Sequence, residues 1–156
     1  RAAPGGVGAR KARGFLTGFE NALSPAETTF LEKWFPARQS RIQFAWRFES
    51  LWVLLWALQM TDELGEPTRP RQVDEIGAAM ALPSDRLFNA ELRPTCEILD
   101  QLDFIYRCHW ATTDARIKAE RPSGGLDPGV VVERHHALNW LTCHQNADWD
   151  DVSTDT

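Results

Sequence analysis

Four polar side chains stand among apolar residues in this sequence, and they are the groups best placed to do chemistry. Arg47 and Glu49 precede an uncharged, Trp-rich run, and His109 and Arg134 fall in the middle of apolar helical faces. A buried charge is costly unless it is paired, so each group requires a partner from another element. Arg47 and Glu49 project about 160° apart on a helix and cannot pair with each other. We therefore expect Arg47 or Arg134 within salt-bridge distance of an acidic group from another segment, with Glu49 as a leading candidate.

This set of polar groups has two interpretations. In the first, the groups form a buried, mutually satisfied network that fixes how the helices pack. In the second, they line a binding or catalytic cleft, where desolvation would perturb their pKa values as an active site requires. Both interpretations need the same pairing, so the sequence leaves both open.

Glu133 and His136 form a Glu-x-x-His motif, which places both side chains on one side of a helix. Ferritin-like dimetal sites use this spacing, but they need two such motifs and carboxylates from two further helices. The sequence has one motif, so we predict no metal and no cofactor, with Glu133 and His136 as weak metal candidates. The ordinary interpretation of His135 and His136 is a half-exposed surface pair.

The tail carries three carboxylates, those of Asp148, Asp150 and Asp151. Carboxylates suit a divalent cation, but the segment lacks the glycine and glutamate of a calcium loop. We expect an acidic surface patch, or aspartates that meet Arg47 or Arg134 in the core. Because an exposed Trp149 would waste apolar surface, we expect its ring to dock on the helical core near Trp140.

The elements that position these residues are predicted to be helices. Apolar side chains cover every direction of a central Trp-rich helix over about residues 40–61, which is too short an uncharged span for a bilayer. Capping residues and prolines predict further helices that start at Ser24-Pro25, Pro94 and Asp127-Pro128. The helix after Pro94 is expected to bury one face, made of Ile98, Leu99, Leu102, Ile105, Tyr106, Trp110 and Ile117. The fold class is therefore all-α, a single compact domain.

Two regions are distinguished along the chain. Residues 1–21 are predicted to be a basic, Gly/Ala-rich arm or the remnant of a truncated N-terminal segment, and residues 22–156 a helical domain with an acidic C-terminal tail. The three cysteines, Cys96, Cys108 and Cys143, have no metal-binding or redox spacing. We expect them to be reduced core residues, which suits a cytoplasmic protein.

The charge balance limits the class of partner. The formal net charge is −5 and the sequence contains seven tryptophans. An acidic chain does not have the basic footprint of a nucleic-acid binder, and we predict no nucleic-acid and no membrane partner. A basic protein partner or a small molecule fits this charge better, and the oligomeric state stays open.

Five ordered blocks of the sequence together resemble a known family. The blocks are WRFESLWVLLWAL at 46–58, LRP and EILD at 92–100, YRCHWA at 106–111, ERHHALNWL at 133–141 and DWDDV at 148–152. They are similar to the bacterial domain-of-unknown-function family 4272, over about residues 23–156. The resemblance implies a small intracellular bacterial helical protein with no established activity, and it transfers no catalytic residue.

Two functional hypotheses follow. The first is a non-enzymatic interaction protein, such as an immunity or inhibitor partner of a basic toxin, because complementary charge speeds such encounters. The alternative is a small-molecule-binding or hydrolytic enzyme with a cleft lined by Arg47, Glu49, His109 and Arg134. A deep cavity reached by these four side chains would favour the enzyme, and a closed core with an acidic face would favour the binder.

Overall fold

Helices account for all of the regular structure in the part of the chain that the computed structural model describes, residues 22–33, 36–81, 86 and 88–156. The α-helices there are α1 (Pro25–Glu32), α2 (Arg38–Ala57), α3 (Val73–Met80), α4 (Thr95–Ile117) and α5 (Pro128–Leu141). The all-α prediction is confirmed. The predicted arm, residues 1–21, lies outside the described residues.

The core forms where α5 packs against α2 on one side and against α4 on the other. The Trp-rich helix α2 supplies the largest group of buried apolar residues, which are Trp52, Val53, Leu55, Trp56 and Ala57. Ile98 and Ile105 of α4 and Leu138 of α5 complete this cluster with Leu64 and Ile76. The described helices include none long and apolar enough to cross a bilayer.

The helix starts follow the capping signals in the sequence. The Ser24 hydroxyl accepts a hydrogen bond from the Glu27 backbone N–H, and the Glu27 side chain accepts one from the Ser24 N–H. The Asp127 carboxylate accepts hydrogen bonds from the backbone N–H groups of Gly129 (2.9 Å) and Val130 (3.1 Å) at the start of α5. α4 begins directly after Pro94. These starts were predictable because capping depends on residues close in sequence.

The end of α2 is less visible in the sequence. The helix ends at Ala57, four residues before the predicted boundary. Gln59 adopts a left-handed conformation (φ 58°), and the Met60 N–H donates to the Leu55 carbonyl at 2.8 Å. This hydrogen bond is that of a Schellman motif, which usually has glycine at the left-handed position. With glutamine in its place, the sequence contains no stop signal.

The predicted buried face of α4 is wrong in part. Ile98 and Ile105 are buried, but four large apolar residues of that face are exposed, namely Leu99, Tyr106, Trp110 and Ile117. These four point within about 40° of one direction on the helix. α5 covers the other part of this face. The wide apolar arc in the sequence therefore predicted a larger buried area than one neighbouring helix covers.

The cysteine prediction is also wrong in part. All three cysteines are free thiols, and Cys108 is buried. Cys96, in the first turn of α4, and Cys143, after the last residue of α5, are exposed. Both lie at helix ends, where helical periodicity says little about burial.

Gly129 allows α2 and α5 to approach closely. A Cβ at this position would lie 2.6 Å from the Trp46 ring, which is closer than carbon atoms can approach. Gly77, in α3, has open space at the corresponding position. The two glycines therefore form a matched pair within helices.

We expect Gly129→Ala to lower the free energy of unfolding by about 1–3 kcal/mol, because the added methyl group displaces Trp46. Gly77→Ala should raise it by about 0.5–1 kcal/mol through helix propensity alone. Urea unfolding of both variants measures the two effects. Stabilisation by Gly129→Ala would contradict the packing described here.

Candidate functional site: a buried polar network and the surface cavities

Glu49 and Arg134 form an ion pair in the centre of the domain. The Arg134 Nε donates to Glu49 Oε2 at 3.1 Å, and the two side chains are 0% and 2% exposed respectively. Burial lowers the pKa of Arg134, while the neighbouring Glu49 carboxylate raises it. The predicted pairing of a core arginine with an acid from another element is confirmed, and Glu49 is that acid.

The same pair fixes the loop between α2 and α3. The Arg134 Nη1 donates to the Gly65 carbonyl at 2.6 Å, and Glu49 Oε1 accepts a hydrogen bond from the Arg71 backbone N–H. The Arg71 guanidinium lies 4.8 Å above the Trp52 ring and donates to the Leu64 carbonyl at 2.7 Å. Arg134 Nη2 is buried and has no hydrogen-bond partner among the described residues. α2, α5 and the connecting loop thus meet at one ion pair.

Arg47 occupies a different position from Arg134. Its side chain is 32% exposed and lies 3.6 Å from Glu133 Oε2. The buried Ser50 hydroxyl donates to the same Glu133 oxygen at 2.9 Å. The Arg47 guanidinium also lies 5.5 Å from the centroid of the Trp149 ring. Arg47 is therefore paired across helices, but at the edge of the core.

His109 and His135 join α4 to α5. Their Nδ1 atoms are 2.9 Å apart, so one ring donates to the other and the two neutral rings hold opposite tautomers. Burial and, to a smaller extent, the neighbouring histidines together lower the pKa of His135 to about 4. The His109 pKa is lowered chiefly by burial, with Arg116 as the second cause.

His136 lies on the other side of the network, against the tail. Its ring meets the Trp149 ring edge-on, with centroids 4.8 Å apart. Burial and, to a smaller extent, the Arg47 charge together lower its pKa to about 4. His135 and His136 are both buried, so the prediction of a half-exposed surface pair is wrong. The residues that cover them, Tyr106 and Trp149, are distant in sequence, which is why local spacing did not reveal the burial.

The tail docks as predicted through Trp149 but not through its aspartates. The Trp149 ring packs edge-on against Trp140, with centroids 5.2 Å apart. Asp150 binds the start of α1, where its carboxylate accepts hydrogen bonds from the Ser24 hydroxyl and the Ala26 N–H, both at 2.8 Å. Asp148 and Asp151 are exposed and form no ion pair in the described part of the chain. The expectation that these aspartates meet Arg47 or Arg134 is wrong, because unpaired N–H groups of α1 attract Asp150 instead.

The described residues contain no group of three or more His, Cys, Asp or Glu side chains placed to hold a metal. Glu133 is engaged by Arg47 and Ser50, and His136 packs against Trp149. The Glu133 carboxylate is therefore bound by a charged and a polar side chain, and the His136 ring contacts an aromatic ring.

The lining residues of four surface cavities in the described part of the chain can be compared with the residues of this network. Their volumes are about 460, 730, 490 and 420 Å³. Arg47, Glu49, His109 and Arg134 line none of the four. Of the polar groups selected from the sequence, Glu49 and Arg134 meet in the packed interior, His109 is buried against His135, and Arg47 lies at the edge of the core.

One of these cavities, of about 490 Å³, lies between residues 62–66 and the first turns of α4, and is called the acidic cavity below. Its aromatic residues are Trp56 and Phe104. Its carboxylates are those of Asp62, Glu63, Glu66, Glu97 and Asp100. Among the described residues only Glu97 of these five forms an ion pair, with Arg93 at 3.2 Å.

Arg93 is the only basic residue among those that line the acidic cavity. Its guanidinium lies 4.9 Å from the Trp56 ring centroid, and it donates to the backbone carbonyls of Trp56, Thr61 and Asp62 at 2.8–3.0 Å. It therefore holds the end of α2, and the remaining carboxylates of the cavity form no ion pair in the described part of the chain. Sequence reasoning gave Arg93 and Arg71 no role in a site, because both lie in loops outside any helical periodicity; Arg93 entered only as part of the LRP block of the family resemblance.

The fold and its interior polar network define a small all-α protein with a closed ionic core. The chain belongs to the family described as Domain of unknown function (DUF4272), whose profile matches residues 13–152. The match begins within the region predicted to be an arm. Neither the curated proteins nor the solved structures include a match to the chain.

We expect Arg134→Met to lower the free energy of unfolding by about 3–5 kcal/mol, because Glu49 is then buried without its cation. Arg47→Met is the matched control and should have an effect below about 1 kcal/mol, since that pair is partly exposed. Adding Glu49→Leu to Arg134→Met should restore part of the loss. Equal effects of the two arginine changes in urea unfolding would contradict the assignment of Arg134 as the central cation.

The buried histidines predict acid sensitivity. His135 and His136 stay neutral in the fold down to pH about 4, while the unfolded chain binds protons near pH 6.5. The unfolded state therefore binds more protons between these values, and stability is lost as the pH falls from 6.5 towards 4. At about 1.4 kcal/mol per pKa unit, each residue contributes about 3 kcal/mol to this loss.

His135→Asn should remove about 3 kcal/mol of the difference in unfolding free energy between about pH 7 and about pH 4. His144→Asn, a change at an exposed histidine, should leave this difference nearly unchanged. Urea unfolding at several pH values measures both. An unaltered pH dependence in His135→Asn would exclude the buried ring as its cause.

Proposed function

We propose that the protein is a non-enzymatic interaction protein that binds a basic region of a partner protein through the acidic cavity. The observation that carries the proposal is the set of four carboxylates, Asp62, Glu63, Glu66 and Asp100, gathered at one cavity without ion pairs in the described part of the chain. An immunity or inhibitor partner of a basic toxin is the most specific form of this proposal.

The charge distribution supports a cationic partner. Unpaired carboxylates at a concave surface lower the electrostatic potential there and speed the approach of a basic surface. The partly buried Phe104 lies in the same cavity, and aromatic rings favour arginine side chains that reach them. The net charge of −5 acts in the same direction at long range.

The enzyme hypothesis receives no such support from the cavities. It required a cleft lined by Arg47, Glu49, His109 and Arg134, and none of the four compared cavities has these residues in its walls. Glu49 and Arg134 form hydrogen bonds within the fold. Their role in the proposal is to hold the 64–71 loop, which carries Glu66, beside α4.

A hexa-arginine peptide tests the proposal by titration calorimetry at low and moderate salt. The wild-type chain should bind it with an affinity that falls with salt, and the double variant Glu63→Lys/Asp100→Lys should bind at least about ten-fold more weakly. Both changed residues are exposed, so the fold should be retained.

The control is Glu120→Lys/Asp155→Lys, which makes the same change in net charge at exposed positions outside the acidic cavity. It should weaken binding by less than about three-fold. Equal weakening by the two double variants, or no binding by the wild-type chain, would overturn the proposal.

A further inference from the structure

The largest of the four compared cavities, about 730 Å³, is apolar and lies on the other side of α2 from the acidic cavity. Its walls include Leu54 and Leu58 of α2, Trp140 and Leu141 of α5, and Leu92 before α4. Leu92 is 58% exposed and Trp140 is 39% exposed. The volume lies within the range of roughly 300–1,000 Å³ that is typical of ligand pockets. It is called the apolar cavity below.

One wall of the apolar cavity is built from unusual backbone. Cys143 and Asn146 line it, and both have positive φ angles, 54° and 51° respectively. Gln145 between them has φ 57°. Residues with side chains rarely adopt this conformation, and Cys143 adopts it directly after the C-cap of α5, where helices commonly end in this way. Hydrogen bonds from Asn146 N–H to the Cys143 carbonyl (3.0 Å) and from Ala147 N–H to the His144 carbonyl (3.2 Å) hold the wall in place.

The apolar and acidic cavities share a boundary. Leu92 lines the apolar cavity and Arg93, the next residue, lines the acidic cavity. Consecutive Cα atoms are about 3.8 Å apart, so Leu92 and Arg93 form one short ridge of backbone between the linings of the two cavities. The ridge is fixed, because the Arg93 N–H donates to the Ala57 carbonyl at 2.8 Å and its side chain binds three further carbonyls. The linings of the two cavities therefore adjoin at Leu92 and Arg93.

We infer that the apolar cavity takes a large apolar side chain of the same basic partner segment whose cationic residues enter the acidic cavity; this inference rests on the proposed function. Apolar anchors in pockets supply most of the affinity of protein interfaces, while neighbouring charges supply orientation and rate. The partner is then recognised by a leucine-, phenylalanine- or tryptophan-like residue close in space to arginine or lysine residues.

The negative charge of the acidic cavity, which adjoins the apolar cavity, favours a cationic segment over other occupants. A second copy of the chain carries the same net charge of −5, so like charge opposes its approach to the acidic cavity. An anionic lipid surface is repelled for the same reason. A cationic segment with an apolar side chain complements both cavities at once.

The test compares hexa-arginine with a series of hexa-arginine peptides that carry two leucines, separated from the arginines by one to six glycines. At least one leucine peptide should bind the full-length chain about ten-fold more tightly than hexa-arginine, which is the gain expected from burying about one leucine side chain. Titration calorimetry supplies both affinities. The spacing series ensures that an unsuitable linker does not hide the gain.

Leu92→Gln should reduce this gain to less than about three-fold while leaving the affinity for hexa-arginine unchanged, because it removes part of the apolar wall only. Val73→Gln is the matched control, since Val73 is 66% exposed and lines neither cavity. The control should retain the full gain. Equal effects of the two changes would place the leucine contact elsewhere and overturn the inference.

The outcomes separate the two proposals. If no leucine peptide gains affinity while hexa-arginine binding still depends on Glu63 and Asp100, the apolar cavity is not part of the partner site and only the present inference fails. If hexa-arginine binding does not depend on these residues, the proposed function itself fails. A concentration-dependent dimer in sedimentation velocity that Leu92→Gln abolishes would assign the apolar cavity to a second copy instead, and would also overturn the inference.

Discussion

The ion pair between Glu49 and Arg134 is the constraint on which the rest of the domain depends. It joins α2 to α5, and through the Gly65 carbonyl and the Arg71 N–H it also fixes the loop that leaves α2. Two unlike charges in an apolar interior tolerate few arrangements, because any shift in helix register would leave one of them unpaired. The pair thus selects one packing of the helices from the many that an apolar interface alone would allow. Gly65 fits this role since it adopts a left-handed conformation (φ 69°) beside the Arg71 side chain.

A division between interior and surface follows from this constraint. The interior ionisable groups neutralise one another or stay uncharged, as the His109–His135 pair does. The carboxylates without partners gather outside, where the loop held by Arg134 meets α4. Glu49 and Arg134, which the sequence marks as possible site residues, pair with each other in the interior, and the proposed recognition surface lies outside this pair. Membership in a domain family of unknown function is compatible with this arrangement and does not specify a partner.

The sequence predicted those features that depend on neighbours along the chain. The all-α class, the caps at Ser24 and Asp127, and the burial of Arg134 all follow from residue type and helical period. Features that depend on contacts between particular helices were predicted poorly. The apolar residues of α4 do not indicate which of them α5 covers. His135 is buried by residues far away in sequence. Glu49 was a leading candidate for the partner of Arg47 or Arg134, but its separation of 85 residues from Arg134 meant that the structure was needed to choose between the two arginines.

The hydrogen bonds from the start of α1 to Asp150 have a consequence for how the chain forms during synthesis. The acceptor for the Ala26 N–H lies 124 residues later in the sequence. At roughly 5–20 residues per second, a ribosome would need on the order of 6–25 s to add that acceptor after Ala26 has been made. α1 is only two turns long, and helices of that length are marginal without tertiary support. Its capping box can form at once, and Phe30 can stack on Phe44 of α2, but its hydrogen bonds to Asp150 wait for the tail. The start of the first described helix is thus among the last parts of the fold to gain its hydrogen-bond partners, and the order of residues in the sequence is not the order in which the fold is completed.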